Sequence, residues 1–124
     1  MFPAFSQTYQ ELSERAVAAT EQDSLSLAEK YIEQALKMEP ANPHNALLFS
    51  NLGTIQRWQH RYEQALDSYT LALNIAPRAI PALMNRAALY LELGKDDLAR
   101  IDYSVVLDIE SENQEALLMR ADIY

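Results

Sequence analysis

His44 and His60 are the only imidazoles in this chain and cysteine is absent, so any metal centre would have to be assembled from two histidines and carboxylates. Neither histidine has a second ligand at helical spacing, and both fall in or beside segments that read as turns. No metal site is expected. The absence of cysteine also removes thiolate nucleophiles and disulfides, and leaves the redox compartment open. Carboxylates are plentiful, but Asp96-Asp97 opens a helical pattern, where acidic groups suit the dipole, and most glutamates occupy polar helix positions. No glycine-rich phosphate loop and no nucleophile elbow occurs, so neither catalytic residues nor a cofactor is expected and the chain is read as a non-enzyme.

The chemistry that remains is non-covalent recognition. Lys and Arg total 10 against 18 for Asp and Glu; the net charge of −8 repels nucleic acid and anionic lipid. The opening Met-Phe-Pro-Ala-Phe has no basic region and no long apolar run, so no signal peptide or membrane span is expected in these 124 residues. With 49% hydrophobic residues and only two glycines, the chain has enough apolar material for a packed core.

The elements that position these side chains are legible as a repeat. Leu83, Arg86, Ala87 and Tyr90 return as Leu117, Arg120, Ala121 and Tyr124, each 34 residues later. Ala65, Tyr69 and Ala72 are answered at the same interval by Ala99, Tyr103 and Val106. Apolar positions within each unit fall at helical spacing, and two helices per unit are implied. Polar breaks at Glu21-Gln22-Asp23, Gln59-His60-Arg61 and Gly94-Lys95-Asp96 separate them. Thr8, Ser26 and Ser111 each precede Glu or Gln by three residues, the capping-box spacing, and Asn42 before Pro43 reads as a further N-cap.

These residues resemble the tetratricopeptide repeat family, whose unit is a 34-residue pair of helices. Residues 46–79 supply Phe49, Leu52-Gly53, Ala65, Tyr69, Ala72 and Pro77 in register, departing at Gln56, where an aromatic is usual. Residues 80–113 supply Leu83, Arg86-Ala87, Tyr90, Ala99 and Tyr103, with Val106 and Ser111 replacing the last alanine and the proline. Residues 9–42 form the most degenerate unit, with Leu12, Ala16, Ala28, Ile32, Ala35 and Pro40, and residues 1–8 are a lead-in. An insert at 43–45 is nearly one helical turn long and is expected to start the next helix one turn early. Residues 114–124 read as the first helix of a fourth unit, either a boundary within a longer chain or a solvating cap; Leu117, Leu118, Met119 and Ile123, apolar on more than one side, favour the boundary. The fold expected is all-α, three helical hairpins plus one additional helix, wound as the family implies into a right-handed solenoid.

The resemblance implies a concave groove lined by the first helix of each unit. Its positions here are Gln10, Ser13 and Val17; Leu47, Ser50, Asn51, Thr54, Arg57 and Trp58; Met84, Asn85, Ala88, Leu91 and Glu92; and Glu115, Leu118 and Met119. The partner implied is a protein or peptide, with apolar or aromatic and basic residues suited to the apolar walls and acidic surround. The alternative is a structural or self-association module of a longer protein, and Leu117, Leu118 and Ile123 predict self-association through the last helix. One subset of the family clamps a peptide carboxylate with lysines, but the lysine positions here hold Ser13 and Pro81, or Ser50 and Glu115 in the shifted register. Asn51 and Asn85 either bond a ligand backbone or pack within the stack. Trp58 either packs across its turn onto Tyr62 or the next unit, or anchors a ligand. Gly53 and the repeated alanines are expected at close helix approaches, and Asp102 is expected to pair with Arg86 or Arg120 inside the stack.

Overall fold

The computed structural model describes residues 7–123. Among them are seven α-helices and no strand: α1 (Tyr9–Glu21), α2 (Leu25–Met38), α3 (Asn45–Trp58), α4 (Tyr62–Ile75), α5 (Ile80–Glu92), α6 (Asp96–Ile109) and α7 (Gln114–Ile123). The pairs α1–α2, α3–α4 and α5–α6 pack most extensively, and the second helix of each hairpin then packs on the first helix of the next. This is an all-α helical-repeat superhelix.

Small residues set the spacing of the stack. Ala28, Ala35, Ala65, Ala72, Ala87 and Ala99 are completely buried, which lets helix axes approach closely and leaves the larger side chains Leu12, Ile32, Tyr69, Leu83 and Tyr103 to fill the layers between them. Gly53 is the extreme case. A Cβ there would lie 2.7 Å from Tyr69 Cε1 and 2.8 Å from Cδ1, and the ring is held by a 2.8 Å hydrogen bond between its hydroxyl and Thr54 Oγ1. Gly53→Ala gains about 1 kcal/mol of helix propensity but overpacks a site that resists movement, at about 1 to 3 kcal/mol. Urea melts should show net destabilisation, and a neutral or stabilised variant would mean that the Tyr69 ring yields freely.

The tight turns inside the hairpins follow one chemistry. Asp23, His60 and Gly94 take φ of 60°, 60° and 73°, the left-handed region. The following amides of Ser24, Arg61 and Lys95 donate back to the carbonyls of Ala19, Gln56 and Tyr90, each at 2.8 Å, which closes the first helix in a Schellman motif.

Capping differs from expectation at three of four sites. Thr8 Oγ1 does accept the Glu11 amide. Ser26 lies inside α2, because the Schellman closure leaves room only for Gln22 and Asp23 before Ser24, and α2 begins at Leu25. Asn113, and not Ser111, caps α7, its Oδ1 accepting the Ala116 amide at 2.9 Å. Asn42 Oδ1 accepts the His44 amide in a turn that precedes the helix. The insert adds one residue of α-helix where a full turn was expected. Its remainder forms 3₁₀-type bonds from Asn45, Ala46 and Leu47 to Asn42, Pro43 and His44.

Asn45, from that insert, carries a role that its sequence does not announce. It is buried, its Oδ1 accepts the Tyr9 hydroxyl at 2.6 Å, and its amide donates to the Glu39 carbonyl at 2.8 Å. The insert thus ties the first hairpin to the second. A further tie between hairpins is the ion pair from Arg61 to Glu29, at 2.8 Å.

Candidate functional site

One face of α3 stays open. Leu47, Asn51, Thr54 and Trp58 follow one another at intervals of four, three and four, so they form a single stripe roughly 16 Å long. Its two apolar ends are exposed, Leu47 at 50% and Trp58 at 55%, while Asn51 and Thr54 between them are half-buried. Opposite runs α1, parallel to α3: Tyr9 meets Asn45 at one end and Glu21 shares a pocket with Trp58 at the other.

Between the two helices lies a groove of about 470 Å³ lined by Gln10, Ser13, Glu14, Val17, Leu47 and Asn51, among others. It runs on, through Val17 and Asn51, into a pocket of about 210 Å³ that adds Thr20, Glu21, Thr54 and Trp58. On the opposite flank of α3, Leu47 and Ser50 face Ala79, Pro81 and Ala82 across about 280 Å³. Trp58 and Arg57 meet Glu92, His60 and Tyr62 around a further 420 Å³.

The expected groove residues do not all share one surface. Leu47, Asn51, Thr54 and Trp58 come together with Gln10, Ser13 and Val17 on the α1–α3 groove. Ser50 is buried, though it reaches the edge of the α3–α5 cleft. Met84 and Leu91 are half-buried and pack against the core of the third hairpin. Asn85 and Ala88 are half-buried on α5, while Leu118, on α7, is exposed and stands apart from the groove pockets. Thr20, Glu14 and Glu21 were not anticipated; their signal was a spacing of three or four residues from Gln10 and Val17 along α1, which puts them on the same flank.

Hydrogen bonding marks which polar groups are available. Arg57 is ion-paired with Glu92 of α5. Burial opposes its charge, but that carboxylate and the Tyr69 hydroxyl hold it above its ordinary pKa. By contrast, no hydrogen bond among the described residues engages the side-chain amides of Asn51 or Asn85. Those two asparagines lie 34 residues apart, at equivalent places on the first helices of successive hairpins.

Polar groups inside the stack are committed. Arg86 grips Asp102 with two bonds of 2.8 Å, Nε to Oδ2 and Nη2 to Oδ1, and its guanidinium lies 5.6 Å from the Tyr90 ring centroid. The Asp102 carboxylate, and then burial working against it, set the Arg86 pKa, which ends raised. Of the two arginines expected as partners for Asp102, Arg86 takes the role. Gln56 fills the place where an aromatic was expected, accepting Ser68 Oγ at 2.6 Å. In α7, Leu117 is 37% exposed whereas its counterpart Leu83 is 3% exposed, because no further helix packs on α7 among the described residues. Tyr124 lies outside the described residues.

Among the described residues no group of three or more His, Asp or Glu is placed to hold a metal ion. No helix among them is long and apolar enough to cross a membrane.

No family model matches the chain. A crystal structure of a tetratricopeptide repeat protein from Parabacteroides merdae is similar at 44% identity and a TM-score of 0.90, over 96% of this chain and 46% of that one. The first TPR of Spaghetti (RPAP3), bound to the HSP90 peptide SRMEEVD, superposes with a TM-score of 0.84 at 24% identity, over 95% and 91% of the two chains. Among curated proteins, a UDP-N-acetylglucosamine–peptide N-acetylglucosaminyltransferase of Giardia intestinalis is 30% identical over 101 residues, 82% of this chain. The chain spans only 7% of that transferase.

Proposed function

The chain belongs to the tetratricopeptide repeat family, and from that premise we propose that it is a protein-interaction scaffold that holds a polypeptide segment in the groove between its first helices. The observation that carries this reading is the α3 stripe. A core with Ala65, Ala72 and Tyr69 fully buried leaves Leu47 and Trp58 half out in solvent, with the unpartnered amide of Asn51 between them and that of Asn85 at the equivalent place on α5. An exposed tryptophan beside a preformed cleft is the pattern of a binding anchor. Asparagine amides with one donor pair and one acceptor match the N–H and C=O of an extended peptide. Trp58 lines a pocket with Tyr62 but remains more than half exposed, which favours the anchor over packing across the turn.

The ligand in this reading differs from the peptide in the Spaghetti structure, which carries three acidic residues among seven. Glu14 and Glu21 face the groove here, and the chain has eight more acidic than basic residues. Catalysis is not part of the proposal. This chain spans 7% of the Giardia transferase, and in it Asp102, Glu29 and Glu92 are engaged as structural ion pairs.

Trp58→Ala should weaken retention of the bound polypeptide by about 2 kcal/mol or more, roughly 30-fold, with little change in Tm. Immobilised wild type, Trp58→Ala and, as a control outside the groove pockets, Ile101→Ala would be compared on the same retained polypeptide. Ile101 is exposed on α6 and should bind as wild type. Normal retention by Trp58→Ala, or its unfolding, would place the recognition surface elsewhere.

A further inference from the structure

We propose that the 210 Å³ pocket where α1 and α3 end is a subsite for an arginine side chain of the bound polypeptide, its guanidinium stacked on the Trp58 ring and paired with Glu21. This deepens the groove reading and rests on it. Four features of the pocket converge on a cation. Trp58 offers the aromatic face with the strongest attraction for a positive charge, and more than half of its surface is accessible. Glu21 shares the pocket and makes no ion pair among the described residues.

The third feature is the direction of the helices. Glu21 is the last residue of α1 and Trp58 the last of α3. Both helix C-termini therefore converge on one cavity; Schellman amides engage the carbonyls of Ala19 and Gln56, and the negative end of each dipole that is left favours a cation there. The fourth is hydrogen-bond capacity. The Thr20 hydroxyl already donates to the Ala16 carbonyl at 2.8 Å, so what it presents to a ligand is acceptor lone pairs, and Asn51 adds an unpartnered amide oxygen. Arg57 is the cation adjacent in sequence, and Glu92 neutralises it on the other side of Trp58.

Arginine suits this arrangement better than lysine. A planar guanidinium can stack on an indole and still present its edge N–H groups to a carboxylate and a hydroxyl, whereas a compact, strongly hydrated ammonium satisfies one contact at a time. The apolar stem of the side chain then lies along Val17, which is exposed on α1 and belongs to both parts of the groove.

Trp58 is the only tryptophan in the chain, so the pocket reports on itself. The probe is N-acetyl-arginine amide, titrated against the intact protein while the indole N–H resonance and the fluorescence of Trp58 are followed. The neutral N-acetyl-citrulline amide is the shape-matched control. Saturable shifts are expected at millimolar arginine probe, weakening with salt; the citrulline probe should give none. Glu21→Gln, an exposed change at a helix end, should keep the fold by circular dichroism and weaken the arginine probe about fivefold. The proposal is overturned if citrulline shifts the indole as arginine does, or if Glu21→Gln leaves half-saturation unchanged. Either result, obtained while Trp58→Ala still weakens retention of the polypeptide, would sink the subsite and leave the groove reading standing.

Discussion

Tyr69→Ala is expected to lower the unfolding free energy by about 3 to 5 kcal/mol, the range for removing a large buried aromatic from a packed core. Three losses combine at that position. The ring is fully buried, and it fills the space that Gly53 leaves open. Its hydroxyl also shares the 2.8 Å bond with Thr54, and burial, against the help of that bond and of Arg57, raises its pKa. The residue belongs to the middle hairpin, which is flanked by neighbours on both sides, so the cavity loosens contacts in two directions. Ile32→Ala removes fewer atoms from the first hairpin, where Leu12, Ala16 and Ala28 form the surrounding cluster, and should cost less. Urea melts of the two variants decide the matter. Equal losses, or a larger loss at Ile32, would show that the middle layer is not where the stack derives its stability.

The hairpin architecture was readable because the 34-residue period is imposed by burial. Alanines that must sit at helix crossings, such as Ala65 and Ala99, cannot drift without a clash, so they recur in register. Caps were less readable because their chemistry is degenerate over two or three residues. Ser111 and Asn113 can both accept an amide, and which one does so depends on the turn closed by the Asn113 amide on the Glu110 carbonyl. Gln56 shows the same limit inside the core. At the three places where the third hairpin has Arg86, Tyr90 and Asp102, the second has Leu52, Gln56 and Ser68, a neutral pair held by one hydrogen bond. Each set is self-consistent, and only the joint geometry reveals it. In the groove, the face was legible from helical phase but exposure was not. Met84 and Leu91 turn partly into the core of their own hairpin, while Thr20 and Glu21 enter the site because α1 and α3 end side by side.

The Arg86–Asp102 pair yields the second large effect. Arg86→Met should cost about 3 kcal/mol, the lower end of the range for stranding one member of a buried pair. Asp102 is almost wholly enclosed, and a thioether side chain in place of the guanidinium would offer its carboxylate no donor to replace the two 2.8 Å bonds. The cost sits at the lower end because the Arg86 side chain is 19% exposed, so water screens part of the interaction and can reach the site after the change. The variant also loses the contact with the Tyr90 ring and the 3.3 Å bond to Thr70. Asp102→Leu alone leaves a guanidinium that can turn toward solvent, and should cost less than Arg86→Met. The double variant Arg86→Met, Asp102→Leu replaces both charges with apolar groups and should recover most of the loss, because the pair's own net contribution is small once desolvation is counted. A double-mutant cycle in urea measures all three. If Arg86→Met costs under about 1 kcal/mol, or if the double variant falls by the sum of the singles, the pair is not an enclosed unit, and the joint between α5 and α6 is held by its alanines and Tyr103 alone.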